Sequence, residues 1–218
     1  MSGTRTSATA FAPASVGNVA VGFDILGQSV AALGDRVRAT RRAERGVVIR
    51  SIKGVVSDLP LAPEKNTAGM AALALQRELD LPFGFELEIE KGIPLGSGLG
   101  GSAASAVAAV VACAALVDRP VDRTQLLKFA MQGEAVASGS VHVDNIAPSL
   151  FGGLVLTVGI DNPHVKRIPV PEGVRCVLVH PHMVLATREA RAILKKTVDL
   201  SDVIWQQANL AGFLAGCY

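Results

Sequence analysis

A glycine-rich stretch at residues 92–102 holds the pattern in this sequence that is best suited to chemistry. It reads GIPLGSGLGGS, and an apolar, alanine-rich segment begins where the glycines end. Successive glycines before a helix leave backbone N–H groups unobstructed, and the helix N-terminus adds partial positive charge. A phosphate group fits such a place, although a tight strand-to-helix turn without a ligand would use the same glycines.

Two familiar phosphate-binding motifs do not account for this stretch. Gly96, Gly98 and Gly101 satisfy the G-x-G-x-x-G spacing of dinucleotide folds, but the segment before them alternates glutamate with apolar residues. A dinucleotide fold needs a buried strand there and a second parallel strand after the helix, where this sequence predicts another helix. Gly96 and Gly101 also have Walker A spacing, but Ser102 stands where that motif requires lysine. A dehydrogenase is therefore the weakest hypothesis.

The stretch instead resembles a motif of a kinase superfamily. Residues 94–104, PLGSGLGGSAA, resemble the central phosphate-binding motif P-x-x-x-G-L-G-S-S-x-A of the galactokinase, homoserine kinase, mevalonate kinase and phosphomevalonate kinase (GHMP) superfamily. Gly101 replaces the first serine of that motif, and Ser102 retains the second, which in the superfamily lies beside the magnesium ion. The resemblance implies that this loop binds ATP.

Three further segments resemble the homoserine kinase family in particular. They are residues 13–27 (PASVGNVAVGFDILG), 140–145 (SVHVDN) and 187–194 (TREARAIL). The Gly-Glu-His signature of galactokinases and mevalonate kinases is absent from the first of them. Four matches in the same order are far more specific than one glycine loop.

The resemblance implies phosphorylation of the side-chain hydroxyl of L-homoserine, in threonine biosynthesis. This substrate has three groups that a protein can bind: an ammonium, a carboxylate and a primary hydroxyl. Asp24 can neutralise the ammonium, and Arg191 can bind the carboxylate as a bidentate fork. Asn18 and Asn145 can orient the hydroxyl. The family likeness also places two more residues near this site, His142 and Thr187.

The resemblance further implies a nucleotide site and a magnesium site. Magnesium prefers hard oxygen ligands and takes one or two from protein, a role that suits Ser102 and Glu134. Asn66 resembles the adenine-contacting asparagine of the family, and it can equally cap a helix. The residues expected to bind the nucleotide are Asn66, Pro94, Leu95, Gly96, Ser97, Gly98, Leu99, Gly100, Gly101, Ser102, Ala103 and Ala104.

The resemblance implies catalysis without a dedicated base. Mevalonate kinases have an aspartate where this sequence has Asn145, and asparagine is not a useful proton acceptor. Asn145, Ser102 and Glu134 would then act by positioning and charge neutralisation, which is adequate for a loose phosphoryl-transfer transition state. Whether Asp144 shares the task stays open at this level.

The elements that position these residues follow from periodicity and breakers. We expect strands at residues 8–11, 36–42, 47–53, 85–90, 154–158 and 176–180, the fourth half-exposed and antiparallel. Helices are expected at 67–79, capped by Asn66 or Thr67, at 103–117, and at 123–136, capped by Asp122. Thr187 and Ser201 should cap two more helices, and loops should occupy 13–27 and 138–148.

The resemblance implies an α+β fold with the GHMP kinase architecture. Residues 1–165 would form an N-terminal ribosomal protein S5 domain 2-like α/β domain, and 166–218 the start of a ferredoxin-like α+β domain, with the boundary near 162–173. The family's late glycine-rich motif, G-S/A-G-P-[ST], has no match among the 218 residues. We therefore expect a C-terminally incomplete kinase, whose own activity is doubtful.

Composition excludes several other classes. The net charge of +2 is too small to indicate a nucleic-acid partner, and the three cysteines have no metal-ligand spacing. The sequence predicts no signal peptide and no membrane segment, so a cytoplasmic protein is expected, and the family likeness implies a homodimer. Two alternatives to homoserine remain: a sister kinase for another small alcohol, and a catalytically silent relative that binds nucleotide without turnover.

Overall fold

The computed structural model describes residues 5–138, 141–159, 161–179 and 187–218. The chain forms a mixed α+β fold, as expected, with six strands in one sheet within these residues. The strands are β1 (Ser7–Val16), β2 (Leu26–Arg42), β3 (Val47–Gly54), β4 (Gly84–Lys91), β5 (Leu154–Val158) and β6 (His164–Ile168). The helices are α1 (Thr67–Glu78), α2 (Gly101–Ala114), α3 (Arg123–Ser138), α4 (Val143–Phe151), α5 (Thr187–Ala192) and α6 (Leu200–Cys217), with a short 3-10 turn at Pro63–Lys65.

The long strand β2 organises the sheet. The order is β3-β4-β2-β5-β6, and β1 pairs with β2 as well. One end of β2 pairs antiparallel with β4, and its first residues pair antiparallel with β5. β3 and β4 are parallel neighbours joined through α1, which makes a β-α-β unit. The antiparallel prediction for β4 therefore holds toward β2 but is wrong toward β3.

The alternation of glutamate and apolar residues in β4 has the expected effect. Phe85, Leu87 and Ile89 are buried, whereas the glutamates between them are at least partly exposed. A strand turns successive side chains to opposite faces, so the apolar face lies against the helices and the other is wet. Lys91 continues the buried series.

The alanine-rich helix α2 lies at the centre of the helical layer. Ten of its residues are buried, and it packs between α1, α3 and the first two strands. Small side chains all around the helix let these neighbours approach its backbone closely. α1 begins after Asn66, whose side chain accepts hydrogen bonds from Ala68 N and Gly69 N, as the capping prediction required. Asp122 likewise accepts one from Gln125 N at the start of α3.

Several local predictions are wrong. β1 and β2 extend well into the predicted loop at 13–27, which is reduced to residues 17–25. Glycine was taken there as a loop signal, but Gly27 lies in β2, at a position where a Cβ would overlap the Asp144 carbonyl oxygen and a larger residue would not fit. α4 occupies much of the loop predicted at 138–148, with Pro148 inside the helix.

The C-terminal part also departs from expectation. Residues 176–179 form no strand, and His180, the last residue of the predicted strand, lies outside the described residues. α6 begins at Leu200 after Asp199, so Ser201 is inside the helix and does not cap it. α5 begins at Thr187, so Thr187 is the first residue of the helix and the prediction that it caps the helix is wrong. β6 crosses the predicted junction at 165/166, and the division into two domains stays a prediction. No described helix is long and apolar enough to cross a membrane.

Candidate active site

A cavity of about 750 Å³ opens between the glycine-rich loop, the start of α1 and the segment around α5. It brings together residues from nearly the whole length of the chain, because β1, α2 and α4 meet at this edge of the sheet. Most of the predicted site residues line it: Asn18, Asn66, Pro94, Leu95, Gly96, Ser97, Gly98, Leu99, Gly100, Gly101, Ser102, Glu134, His142, Asn145 and Arg191.

The glycine loop has a backbone that side chains would disfavour. Gly96, Gly98 and Gly100 have φ angles of 66°, 72° and 64°, in the left-handed region. Gly100 is the N-cap of α2, and a Cβ there would overlap the Ser15 hydroxyl. The loop is tied to β1 by Ser15 N, which donates to Leu99 O at 3.1 Å. The N-terminus of α2 therefore faces the cavity behind an unobstructed backbone, which suits an anion.

Ser102 and Glu134, which the sequence predicts to be oxygen ligands of a metal ion, lie together beside the loop. Ser102 Oγ donates to Glu134 Oε1 at 2.9 Å. Glu134 is only 3% exposed, and burial raises its pKa to about 7, partly offset by the Ser102 hydrogen bond. Glu134 Oε2 is buried and has no hydrogen-bond partner among the described residues. A buried carboxylate oxygen without a partner, next to a hydroxyl, fits a hard cation such as Mg²⁺.

Asp24 and Arg191 lie face to face. Arg191 Nη1 donates to Asp24 Oδ2 at 3.0 Å, and Nη2 donates to Asp24 Oδ1. Nη2 also lies 3.3 Å from His142 Nδ1, and the guanidinium carbon lies 5.5 Å from the Phe23 ring centroid. Asp24 itself has a positive φ of 61°, and Asn18 Oδ1 accepts from its N–H at 2.8 Å. The two charges predicted to bind opposite ends of a zwitterion thus neutralise each other here.

Asp144 and Asn145 occupy the first turn of α4 but have different surroundings. Asn145 lines the cavity, and its Oδ1 accepts from Ser15 Oγ at 3.2 Å. Asp144 is 1% exposed and is not among the cavity-lining residues. Its Oδ2 accepts from Asn18 N at 3.1 Å, and burial raises the pKa of this carboxyl group. Asp144 therefore supports the loop that carries Asn18 and does not reach the cavity.

Four predicted residues, Asp24, Ala103, Ala104 and Thr187, are not among the cavity-lining residues or have side chains that are not described, and Asp24 is joined to the cavity through Arg191. Ala103 and Ala104 are fully buried under the loop, where their small size permits packing against the sheet. The side chain of Thr187 lies outside what the structure describes. Asn66 lines the cavity, but its oxygen caps α1 and its Nδ2 donates to Pro60 O at 3.0 Å. The role of Asn66 as a cap is confirmed, and contact with adenine stays a prediction.

Sequence reasoning missed other cavity residues. Lys65, Lys91, Leu59 and Leu194 line the cavity without having been singled out. For Lys91 a signal existed, because it continues the buried apolar series of β4 and a buried lysine requires partners. Leu59 and Lys65 lie in the connection before α1 and Leu194 lies just after α5, where no local pattern marks a site.

Known proteins resemble this chain along its whole length. The family model described as GHMP kinases N terminal domain matches residues 66–153. The chain is 53% identical to the homoserine kinase of Xylella fastidiosa (strain M12) over 215 residues, which are 99% of this chain and 66% of that protein. It is 40% identical to the homoserine kinase of Chlorobium phaeobacteroides (strain BS1) over 218 residues, covering 95% of this chain and 68% of that protein. The chain thus spans about two thirds of the length of these relatives.

Solved structures agree with these sequence matches. The crystal structure of homoserine kinase from Cytophaga hutchinsonii superimposes with a TM-score of 0.90 and 41% identity, covering 99% of this chain and 69% of that one. The mevalonate kinase of L. major, solved in complex with R-mevalonate, superimposes with a TM-score of 0.59 and 16% identity, covering 78% and 54%. The second likeness is evidence for the fold alone.

Proposed function

The chain belongs to the homoserine kinase family of the GHMP kinases, and from this premise we propose that its protein transfers the γ-phosphoryl group of ATP to L-homoserine. The acceptor is the side-chain hydroxyl, and the product is O-phospho-L-homoserine, on the route to threonine. A homodimer is part of the proposal on family likeness alone.

The arrangement of Asp24 and Arg191 carries this proposal. These two residues are 167 positions apart in the chain, yet they form a bidentate ion pair at the cavity that the glycine loop lines. An amino-acid substrate presents an ammonium and a carboxylate on the same carbon atom. Two neighbouring side chains of opposite charge, such as Asp24 and Arg191, can therefore bind one group each. A sugar offers neither charge and mevalonate offers only a carboxylate, so the pair favours an amino-acid acceptor over those of sister kinases.

The glycine loop supplies the phosphate-binding part of the site. Its left-handed glycines expose backbone N–H groups, and the N-terminus of α2 adds partial positive charge where the ATP phosphates would lie. Ser102 and Glu134 would hold Mg²⁺, which when bound neutralises charge on the phosphate oxygens. Lys65 lines the same cavity and adds a positive charge on the nucleotide side.

Phosphoryl transfer then depends on positioning. Asn145 lies beside Gly100, held through Ser15, so its amide can orient the acceptor hydroxyl toward the loop. Asp144, the carboxyl group next to it in the chain, is turned toward Asn18 and is not placed as a general base. The hydroxyl proton would leave to phosphate or to water, which a loose transition state permits.

The test is homoserine-dependent ADP release by the full gene product in Mg-ATP. Serine, threonine, mevalonate and galactose serve as competing candidate acceptors. We expect release that requires homoserine and falls by about 100-fold or more in Ser102→Ala. Ser51→Ala, a serine substitution in β3 away from the cavity, is the matched control and should leave the rate unchanged. Turnover with another acceptor only would refute the substrate assignment, and ADP binding without turnover would favour the silent relative.

A further inference from the structure

A buried ion pair lies under the glycine loop, formed by Lys91 at the end of β4 and Asp35 in β2. The side chains are 5% and 0% exposed. Lys91 Nζ donates to Asp35 Oδ2, to Ser105 Oγ at 2.7 Å and to Gly101 O at 2.8 Å. An ammonium group has three N–H donors. These three protein acceptors therefore use all of them.

The carboxylate of Asp35 extends the cluster to the other end of the loop. Its Oδ1 accepts from Gly92 N at 3.0 Å, where the chain leaves β4. Its Oδ2 also accepts from Ser105 Oγ at 2.6 Å. Gly92 and Gly101 are the first residue of the loop and the first residue of α2. One ion pair thus holds both ends of the loop against β2.

We infer that Lys91 and Asp35 form a staple across the base of the phosphate-binding loop, and that Lys91 is a positioning residue and not a ligand of the phosphates. The inference rests on the proposed function and deepens it. Although Lys91 lines the cavity, its donors are already occupied, so it differs from the lysine of a Walker motif, which points its charge at the phosphates.

The loop needs such an anchor because its own sequence makes it soft. Three of its glycines occupy the left-handed region, and glycine has more backbone freedom than any other residue. Binding phosphate with backbone N–H groups requires that these groups stay aligned, which supporting contacts behind them must ensure. Burying two charges is costly, and an apolar pair of similar volume often serves stability as well or better. Stability alone therefore does not account for the pair.

The test removes both charges together, so that neither is left buried without its partner. In the full gene product we would combine Lys91→Met with Asp35→Asn and measure the ADP Kd by titration calorimetry, and the KM of ATP and of homoserine. We expect the ADP Kd and the ATP KM to rise by about 10-fold or more, as when side chains that hold a ligand-binding group in place are removed. The homoserine KM should stay within about twofold, because the Asp24 and Arg191 side is untouched.

A matched control separates positioning from stability. Leu116→Ala opens a cavity in the core just beyond the far end of α2, where Leu116 is 2% exposed. It should lower the thermal midpoint while leaving the ADP Kd unchanged. If the ADP Kd of the Lys91→Met, Asp35→Asn variant lies within about twofold of the ADP Kd of the unmodified protein, the staple is overturned.

A milder variant decides the question if the double variant does not fold. Ser105→Ala keeps both charges and removes one acceptor of Lys91, and it should raise the ADP Kd by about threefold. Thr157→Val, a buried hydroxyl removed from β5, is its control and should have no effect. An unchanged ADP Kd in Ser105→Ala overturns the staple alone. An unmodified protein that does not bind ADP would instead overturn the proposed function, and the staple with it.

Discussion

Substrate selection should follow from the ion pair that the free protein already contains. Asp24 and Arg191 neutralise each other through two hydrogen bonds. Homoserine can replace both partners at once, with its ammonium on Asp24 and its carboxylate on Arg191. 4-Hydroxybutyrate, which is homoserine without the amino group, takes Arg191 and leaves Asp24 unpaired. We therefore expect Asp24→Asn to weaken homoserine binding and to strengthen 4-hydroxybutyrate binding.

The size of the effect follows from exposure. Two unit charges about 4 Å apart interact by ~4 kcal/mol at an effective dielectric constant of ~20. The side chains of Arg191 and Asp24 are 35% and 39% exposed, so solvent screening reduces this to about 1 to 2 kcal/mol. Asp24→Asn should then tighten 4-hydroxybutyrate binding by about 5- to 30-fold. Homoserine should bind about 10- to 100-fold more weakly, because a charge-assisted hydrogen bond is lost.

The assay is calorimetric titration of both ligands into the full gene product, unmodified and as Asp24→Asn. Asp118→Asn is the control, since it removes an equal charge from the exposed Arg41 pair away from the cavity. It should change neither affinity. If 4-hydroxybutyrate binds Asp24→Asn no better than the unmodified protein, the ion pair does not restrain Arg191 before substrate arrives, and the reasoning fails.

Three further predictions concern the nucleotide side. With Mg²⁺ chelated, folding raises the pKa of Glu134 from 4.5 to about 7. The contribution of Glu134 to the free energy of unfolding is therefore fully present below pH 4.5 and is lost as pH rises through 7. Glu134→Gln should remove that decline, seen as a flatter pH profile of urea midpoints; an unaltered profile would count against it. Gly100→Ala should weaken ADP binding by about 10-fold or more, because it strains a φ of 64° and overlaps Ser15; unchanged titration would contradict this. Asn66→Ala should cost about 1 kcal/mol in thermal unfolding, whereas Asn66→Ser keeps a capping oxygen and most of that stability.

Signals confined to a few neighbouring residues were predicted well from the sequence. The alternation in β4, the cap of α1 by Asn66 and the glycine stretch before α2 all involve contacts within one turn or one strand. The sequence analysis began β2 too late, because a glycine such as Gly27 is equally compatible with a loop and with a strand that packs closely on Asp144. α4 was missed for a similar reason: Pro148 counts locally against a helix, and tertiary packing outweighs it.

The sequence by itself determined which chemical groups are available to the proposed site: a glycine loop suited to phosphate, the side-chain oxygens of Ser102 and Glu134, and one charge of each sign at Asp24 and Arg191. Only the tertiary structure decided how those groups are paired. It brought Asp24 to Arg191 across 167 positions and placed Lys91 on Asp35 beneath the loop. Contacts of that kind depend on the register of distant strands and on which side chains lose water together. The periodicity of residue types along the chain does not predict such contacts.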